Sequence, residues 1–404
     1  MIDTVRGGVT APKGFKSAST HCGLKSDGIS HDLAVLYSDR PVQSAALFTS
    51  NLVKAAPVKW STERVRENNL RAAVVNAGNA NACTGKQGDN DVERTARAAA
   101  KLLGVEAGQI YVASTGIIGV PLPVEKLEAG LRAAVPALAH GEEPGDAFSR
   151  AIMTTDTVPK SVAFQFKIGR TRAMLGGATK GAGMIAPNLA TMLCFLTTDA
   201  AISRPALEKA LHDAVEQSFN RITIDGHTST NDSILIMANG AAGNAVIEDG
   251  TEAYAAFCEV LDLACLSLAK MMVRDGEGAT RVIRIEVTGA QEREHATLAG
   301  RAIANSPLVK AAVNGGDPNW GRIVSAAGYS GAPFDPEKAR LWIGDALVFE
   351  NGMPAGVPKA RLAEFMRAEE VDFKLDLGTG TESDTFWTCD LSKEYVTINA
   401  DYHT

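Results

Sequence analysis

The order of apolar runs predicts an α+β protein, or a layered αββα arrangement, rather than a doubly wound sheet. Three observations carry this. Strand-like and helix-like stretches interleave without strict βαβα order. Short apolar runs between turn signals recur at fairly regular spacing early in the chain: 33–38 LAVLYS, 44–51 SAALFTSN and 71–78 RAAVVNAG. At 404 residues, 45% hydrophobic and 22% charged, the chain is long enough for two or three lobes with full cores.

Between the early strands, VKAAPVKWSTERVREN offers a helix starting after Ser61 as N-cap. Residues 76–91, NAGNANACTGKQGDND, carry almost no apolar side chain. They read as a surface turn, with a ligand-facing loop as the alternative. DVERTARAAAKLL at 91–103 is a helix with acids first and bases later. A strand at 109–114, QIYVAS, runs into Thr115-Gly116-Ile117-Ile118-Gly119. By itself this is a tight turn at a strand end. It is also a place where a hydroxyl and a backbone N–H can lie side by side, as an oxyanion hole requires.

Helices are expected at 122–138 and 145–153, and a strand at 161–169. Residues 174–198, MLGGATKGAGMIAPNLATMLCFLTT, place Lys180 among Gly176, Gly177, Gly181 and Gly183. Those glycines suggest φ > 0 and close approach to a ligand. A small residue followed by Thr, where a flexible loop meets a buried apolar run, suits a chain that cuts itself to expose a nucleophile. An ordinary loop entering a core strand is the alternative.

Ser203 and Pro205 start a helix, and 221–240 reads as two strands around a polar turn from Asp225 to Asp232. That turn fits no EF-hand spacing. A long helix covers 253–275, with Met271 and Met272 as core fillers. Strands follow at RVIRIEVTGA, 340–348 and 371–377, and the terminal EYVTINADYHT reads as a last strand carrying Asn399 and Thr404.

A net charge of −7 argues against nucleic acid or an anionic membrane as partner. The six cysteines are scattered, with no CxxC and no zinc spacing, which favours buried thiols in a reducing compartment. The start lacks a signal-peptide pattern and no apolar run is long enough to span a bilayer, so a soluble, cytoplasmic protein is expected.

Nine segments in order then carry a resemblance: AALFTSNLVKAAPV, NAGNANACTG, ASTGIIG, MTTDTVPK, KGAGMIAPNLATML, STNDS, RDGEGATR, DPNWGR and EYVTINADYHT. They resemble the ornithine acetyltransferase (bifunctional glutamate N-acetyltransferase) family of arginine biosynthesis, over essentially the whole chain.

The resemblance implies two stacked sheets with outer helices over about 1–280 and a smaller C-terminal α/β domain over 281–404. It implies self-cleavage between Ala190 and Thr191 into an α chain (1–190) and a β chain (191–404), assembled as an (αβ)₂ heterotetramer. Thr191 would be the nucleophile with its own α-amine as base. Thr115 and Gly116 would form the oxyanion hole. Thr157, Lys180, Thr191, Glu277, Asn399 and Thr404 would contact substrate, with Thr154 and Asp156 open as alternatives to Thr157.

The implied chemistry moves acetyl from N-acetylornithine to glutamate by a ping-pong route with no metal or cofactor. Acetyl-CoA is a further acetyl donor in bifunctional members, toward which the reading leans. An N-terminal-nucleophile amidase or aminopeptidase on the same fold is the competing enzyme class. Leu189 and His227 depart mildly from the family pattern.

Overall fold

The computed structural model describes residues 2–186 and 192–401. Among them two sheets stack face to face. One runs in the order β1 (Asp3–Thr4), β7 (Lys160–Ile168), β8 (Thr171–Lys180), β9 (Leu193–Thr198), β10 (Ser233–Ala238), β4 (Gln43–Phe48). The other runs β2 (Phe15–Thr20), β3 (Leu33–Ser38), β5 (Ala72–Asn79), β6 (Ile110–Ile117).

Strand alternation explains why these runs are apolar throughout. On β9, Leu193 and Phe195 enter the layer between the sheets, while Cys194 and Leu196 face outward to helices. On β6, Tyr111 and Ala113 point inward and Ile110 and Val112 outward. Both faces are covered, so neither can be polar. Phe195 anchors the inner layer, edge-on to Phe148 at 5.4 Å and to Tyr111 at 6.3 Å.

The outer face of the first sheet is covered by α5 (Arg204–Glu216) and α6 (Glu252–Arg274). Phe257, Leu261, Ala264, Leu268 and Met272 recur at helical spacing along α6 and are fully buried. The second sheet is covered by α1 (Ala56–Glu67), α2 (Gly85–Leu103) and α3 (Val124–Ala134), while α4 (Glu142–Ala151) packs on β2. Helices therefore flank two stacked sheets, the layered αββα sandwich expected from the sequence.

A third sheet, β14 (Met353–Pro354), β13 (Ala346–Glu350), β12 (Arg340–Ile343), β15 (Glu370–Asp376), β11 (Val282–Ala290), β16 (Glu382–Cys389), has its own core. Around it lie α7 (Arg293–Ala304), α8 (Pro307–Asn314), α9 (Trp320–Gly328) and α10 (Lys359–Phe365), while α11 (Lys393–Asp401) follows β16 and reaches the loops after α6 and before β10.

Several local expectations are corrected. Ser61 is not an N-cap but lies inside α1, where its hydroxyl donates to Val112 O and accepts from Val112 N–H at 2.7 and 2.9 Å. The polar stretch at 76–91 is not a surface turn: Asn76, Asn79 and Asn81 are buried and α2 already begins at Gly85. Residues 221–224 form no strand, because Arg221 turns into a buried ion pair with Asp384 at 2.9 Å and only Ile222 bridges to Trp387. Met271 is 37% exposed, leaving Met272 alone as the core filler.

The terminal segment is helix, not strand. β-branched residues raise strand propensity, but tertiary contacts override it. The Ser392 hydroxyl donates to Gly278 O at 2.7 Å and the Tyr395 hydroxyl to Asp225 at 3.2 Å, docking α11. The strand β16 was not anticipated.

Candidate active site

A cleft forms where the ends of both stacked sheets meet the loops around them. It is lined by Thr115 and Gly116 of β6, Thr154 and Thr155 before β7, Lys180 at the end of β8, and Ser229 and Asn231 before β10. Ala80, Ile118, Gly183, Met184, Glu277 after α6, and Asn399 of α11 complete it.

β6 does not end at a turn after residue 114 but continues through Thr115 and Gly116. Gly116 has φ +130°, and a Cβ there would lie 2.3 Å from Gly78 C of β5. Only glycine fits. The pairing slips at this point, Asn79 opposing both Thr115 and Ile117. Such a bulge re-aims the local peptide.

The neighbouring asparagines brace it. Ser114 donates its hydroxyl to Asn76 at 2.6 Å, Asn76 donates to Asn79 O at 2.8 Å, and Asn231 donates to both Ala80 O and Ser114 O at 2.7 and 2.8 Å. Buried amides satisfied this way stiffen the strand end. The motif NAGNANACTG is thus scaffold for β6.

Lys180 is 4% exposed, and its Nζ donates to Thr115 Oγ1 at 3.2 Å. Burial pushes its ammonium down from the usual range, the charge of Lys160 adds to this, and Asp156, Asp232 and Glu277 oppose it. Behind it lies a buried ion cluster. Lys160 reaches Asp156 at 2.6 Å and Asp275 at 2.5 Å. Asp156 also accepts the Gly181 N–H at 2.7 Å. Burial works against the Asp156 carboxylate, yet Lys180, Lys160 and that N–H outweigh it and draw the group down to about 2.

The glycines of this segment do different work from the one expected. Gly176 and Gly177 lie within β8, where a Cβ would meet Gly8 O at 1.9 Å and Leu196 at 2.7 Å respectively. They permit close packing of the sandwich. Gly181 does take φ +147°. Gly183 makes room for Glu277, whose Oε2 would be 2.4 Å from a Cβ. Glu277 in turn accepts from Asn399 Nδ2 at 2.8 Å.

Thr157 differs from its expected place. It does not line the cleft; its hydroxyl and N–H are donated to Asp275, which leaves Thr154 and Thr155 facing the open space. Ala190, Thr191 and Thr404 lie outside the described residues.

Both flanks of the segment around 190–191 are pinned. On the upstream side, Asp225 accepts the N–H groups of Met184 and Ile185 at 2.6 and 3.0 Å. Met184 is held at φ +56°, a conformation that costs a non-glycine residue ~1–2 kcal/mol. On the downstream side, the Met192 N–H donates to Asp232 at 2.9 Å. Asp225 accepts from the Met184 and Ile185 N–H groups and from the Tyr395 hydroxyl, Asp232 takes the Met192 N–H through Oδ1, and among the described residues no cluster suited to a metal ion is found. No described helix is long and apolar enough to cross a membrane.

Sequence reasoning assigned no part to Ser229, Asn231 or Asp232. The available signal was a run of short hydroxyl, amide and acid residues, STNDS, immediately before the fully buried β10.

Sandwich and cleft together define an α+β protein of layered αββα type whose cleft is lined by the hydroxyl residue Thr115, by Gly116 and by two side chains of opposite charge, Lys180 and Glu277. The chain belongs to the ArgJ family, whose model matches residues 16–404. It is 48% identical to the arginine biosynthesis bifunctional protein ArgJ of Symbiobacterium thermophilum, over the full length of both chains. It is 46% identical to the protein of that name from Dehalococcoides mccartyi, over 98% of each. Among solved structures, the Bacillus halodurans ArgJ protein is similar at 41% identity and a TM-score of 0.50, covering 52% of this chain and 98% of that one.

Proposed function

We propose that this protein is an acetyltransferase of arginine biosynthesis that moves the acetyl group of N-acetylornithine to glutamate. The precursor cuts itself between Ala190 and Thr191, and Thr191 becomes nucleophile and N-terminus of the second chain. Its Oγ attacks the acetyl carbonyl while its α-amine, with a reference pKa of ~7.7–8.0, takes the proton. Ornithine leaves, an acetyl-Thr191 ester remains, and the glutamate amine resolves it.

The observation that carries this reading is the Lys180–Thr115 hydrogen bond at 3.2 Å beside Gly116. A hydroxyl that accepts from a lysine has its own hydrogen left to donate. Thr115 and the Gly116 N–H then act as the oxyanion pair. Lys180 also suits a substrate carboxylate, and Glu277, steadied by Asn399, suits the side-chain ammonium of ornithine. Thr154 or Thr155 takes the contact first assigned to Thr157, and Thr404 is a further substrate contact.

Two findings support the reading. The relatives named above are bifunctional proteins of arginine biosynthesis. The solved Bacillus halodurans chain is about half as long as this one, the size of either product of a cut at 190–191. The reading needs no metal or bound cofactor, includes acetyl-CoA as an alternative acetyl donor, and places an (αβ)₂ enzyme in the cytoplasm.

Incubating the purified protein with N-acetylornithine and glutamate tests it. Ornithine and N-acetylglutamate should appear in equal amounts. Release of free acetate instead would identify the hydrolase class, and acetyl-CoA with glutamate alone tests the second donor.

A further inference from the structure

The cleft does not end at Thr154. The same residue borders a second hollow, lined also by Leu24, Lys25, Gly78 and Ile117. Thr154 and Lys25 together border a third, which reaches His31, Arg150 and Met153. At about 380 and 450 Å³, each is larger than the cleft at about 110 Å³. A groove therefore leads from Gly116 and Lys180, over Thr154, to a group of basic side chains.

The loop that carries Lys25 is firmly held. Asp32, fully buried, accepts the N–H groups of Cys22, Gly23, Leu24 and Lys25 at distances from 2.6 to 3.1 Å. Gly78 lets this loop lie directly on the end of β5, since a Cβ there would sit 2.9 Å from the Leu24 carbonyl carbon. Lys25 Nζ donates to His31 O at 2.7 Å and to Ala151 O at 3.3 Å, which leaves its third hydrogen for a ligand. Burial draws that ammonium below its usual range, and an anion seated beside it would offset the cost.

Arg150, in the last turn of α4, is exposed, and its guanidinium has no partner among the described residues. The nearby carboxylates are engaged or lie to one side. Asp27 accepts the Ile29 and Ser30 N–H groups of its own turn, and Asp156 is bound to Lys160. Asp401 borders the second hollow but not the third.

An acetyl group held at Thr115 and Gly116 carries its leaving group out of the cleft. N-acetylornithine is short enough to end at Lys180 and Glu277. A thioester donor such as acetyl-CoA is much longer, and its arm ends in phosphates. Leu24, Ile117 and Met153 offer apolar contact along the groove, and Lys25, His31 and Arg150 offer charge at its end. Guanidinium and ammonium groups suit phosphate oxygens.

We propose that this groove binds the arm of acetyl-CoA, with Arg150 and Lys25 on its phosphates, an inference that rests on the second-donor reading above. Acetyl passes from sulfur to the nucleophile as the C–S bond breaks. The thiol leaves with the proton of the attacking hydroxyl. The glutamate half of the cycle is then common to both donors.

Arg150→Glu tests the site without touching the cleft. Purified, processed enzyme is assayed with glutamate and either acetyl-CoA or N-acetylornithine. The variant should raise KM for acetyl-CoA by about tenfold, the scale of one charge-assisted contact. Its kinetics with N-acetylornithine should match wild type. S-acetylpantetheine, which lacks the phosphates, should be used equally by both proteins.

An unchanged KM for acetyl-CoA overturns the proposal. So does an equal loss with N-acetylornithine, the mark of general damage, or an equal loss with S-acetylpantetheine, which removes the phosphate contact. A wild type active only with N-acetylornithine overturns the groove assignment together with the second donor. A wild type inactive with both donors defeats the acetyltransferase reading itself.

Discussion

Replacing Lys160 by Met removes a cation that is 1% exposed and lies between two carboxylates. Met has nearly the same length, so the cavity term is small and the cost is electrostatic. Two charge-assisted hydrogen bonds are lost, to Asp156 at 2.6 Å and to Asp275 at 2.5 Å. At ~1.5–3 kcal/mol each, the sum agrees with the ~3–5 kcal/mol typical of breaking a buried ion pair by deleting one partner. For a chain of this size, with an unfolding entropy of about 0.85 kcal/mol/K, Tm should drop by roughly 4–6 °C.

The pH dependence has a defined sign. In the wild type Asp156 stays ionised down to about 2, so its contribution is complete above the reference value of ~3.9 and is lost as pH falls through the folded value. In the variant Asp156 loses the Lys160 partner that helps hold its carboxylate down and takes up a proton more readily, which relieves the penalty. The gap between the two proteins is therefore largest at neutral pH and narrows as pH falls toward that range. Thermal unfolding of matched, fully processed samples at several pH values measures it. A Lys160→Met protein within about 2 °C of wild type at neutral pH would refute the claim that this cluster carries an irreplaceable charge.

Thr191→Ala should remain a single chain by mass spectrometry and show no acetyl transfer, whereas Thr191→Ser should keep both activities at reduced rate. Thr115→Ala should lower kcat by ~10²–10³ with little change in KM, because the hydroxyl serves the transition state; an unchanged kcat would remove it from that role. Gly183→Ala should raise KM for N-acetylornithine several-fold with near-native Tm, since the new Cβ displaces the mobile end of Glu277. Steady-state kinetics beside thermal unfolding would show whether the damage is confined to binding.

Much of the architecture was legible because the burial of a strand on one or two faces is written into its side chains. The runs at β3, β5, β9 and β10 are apolar on both faces, and a sandwich layered with helices is the arrangement that buries them. α6 was legible from its 3.6-residue spacing. What misled was polar sequence in the interior. The asparagines at 76–81 have the composition of a surface turn, and only long-range partners such as Ser114 and Asn231 reveal that each amide is satisfied inside. The terminal helix misled in the opposite direction, its β-branched residues outvoted by contacts to Asp225, Gly278 and Glu277.

The Gly-rich loop before Thr191, Lys180 within it, and the Thr-Gly pair at 115–116 were singled out from residue types alone. Chain chemistry limits what a glycine or a lysine can do, and ordered family motifs narrow it further. Only the tertiary structure decided which of those residues meet. It joins Lys180 to Thr115 across 65 positions of sequence, turns Thr157 away to Asp275, and sets the unpartnered oxygen of Asp232 beside Met192. The physical reason is that burial and hydrogen-bond satisfaction are properties of the packed neighbourhood. No single segment of the chain contains them.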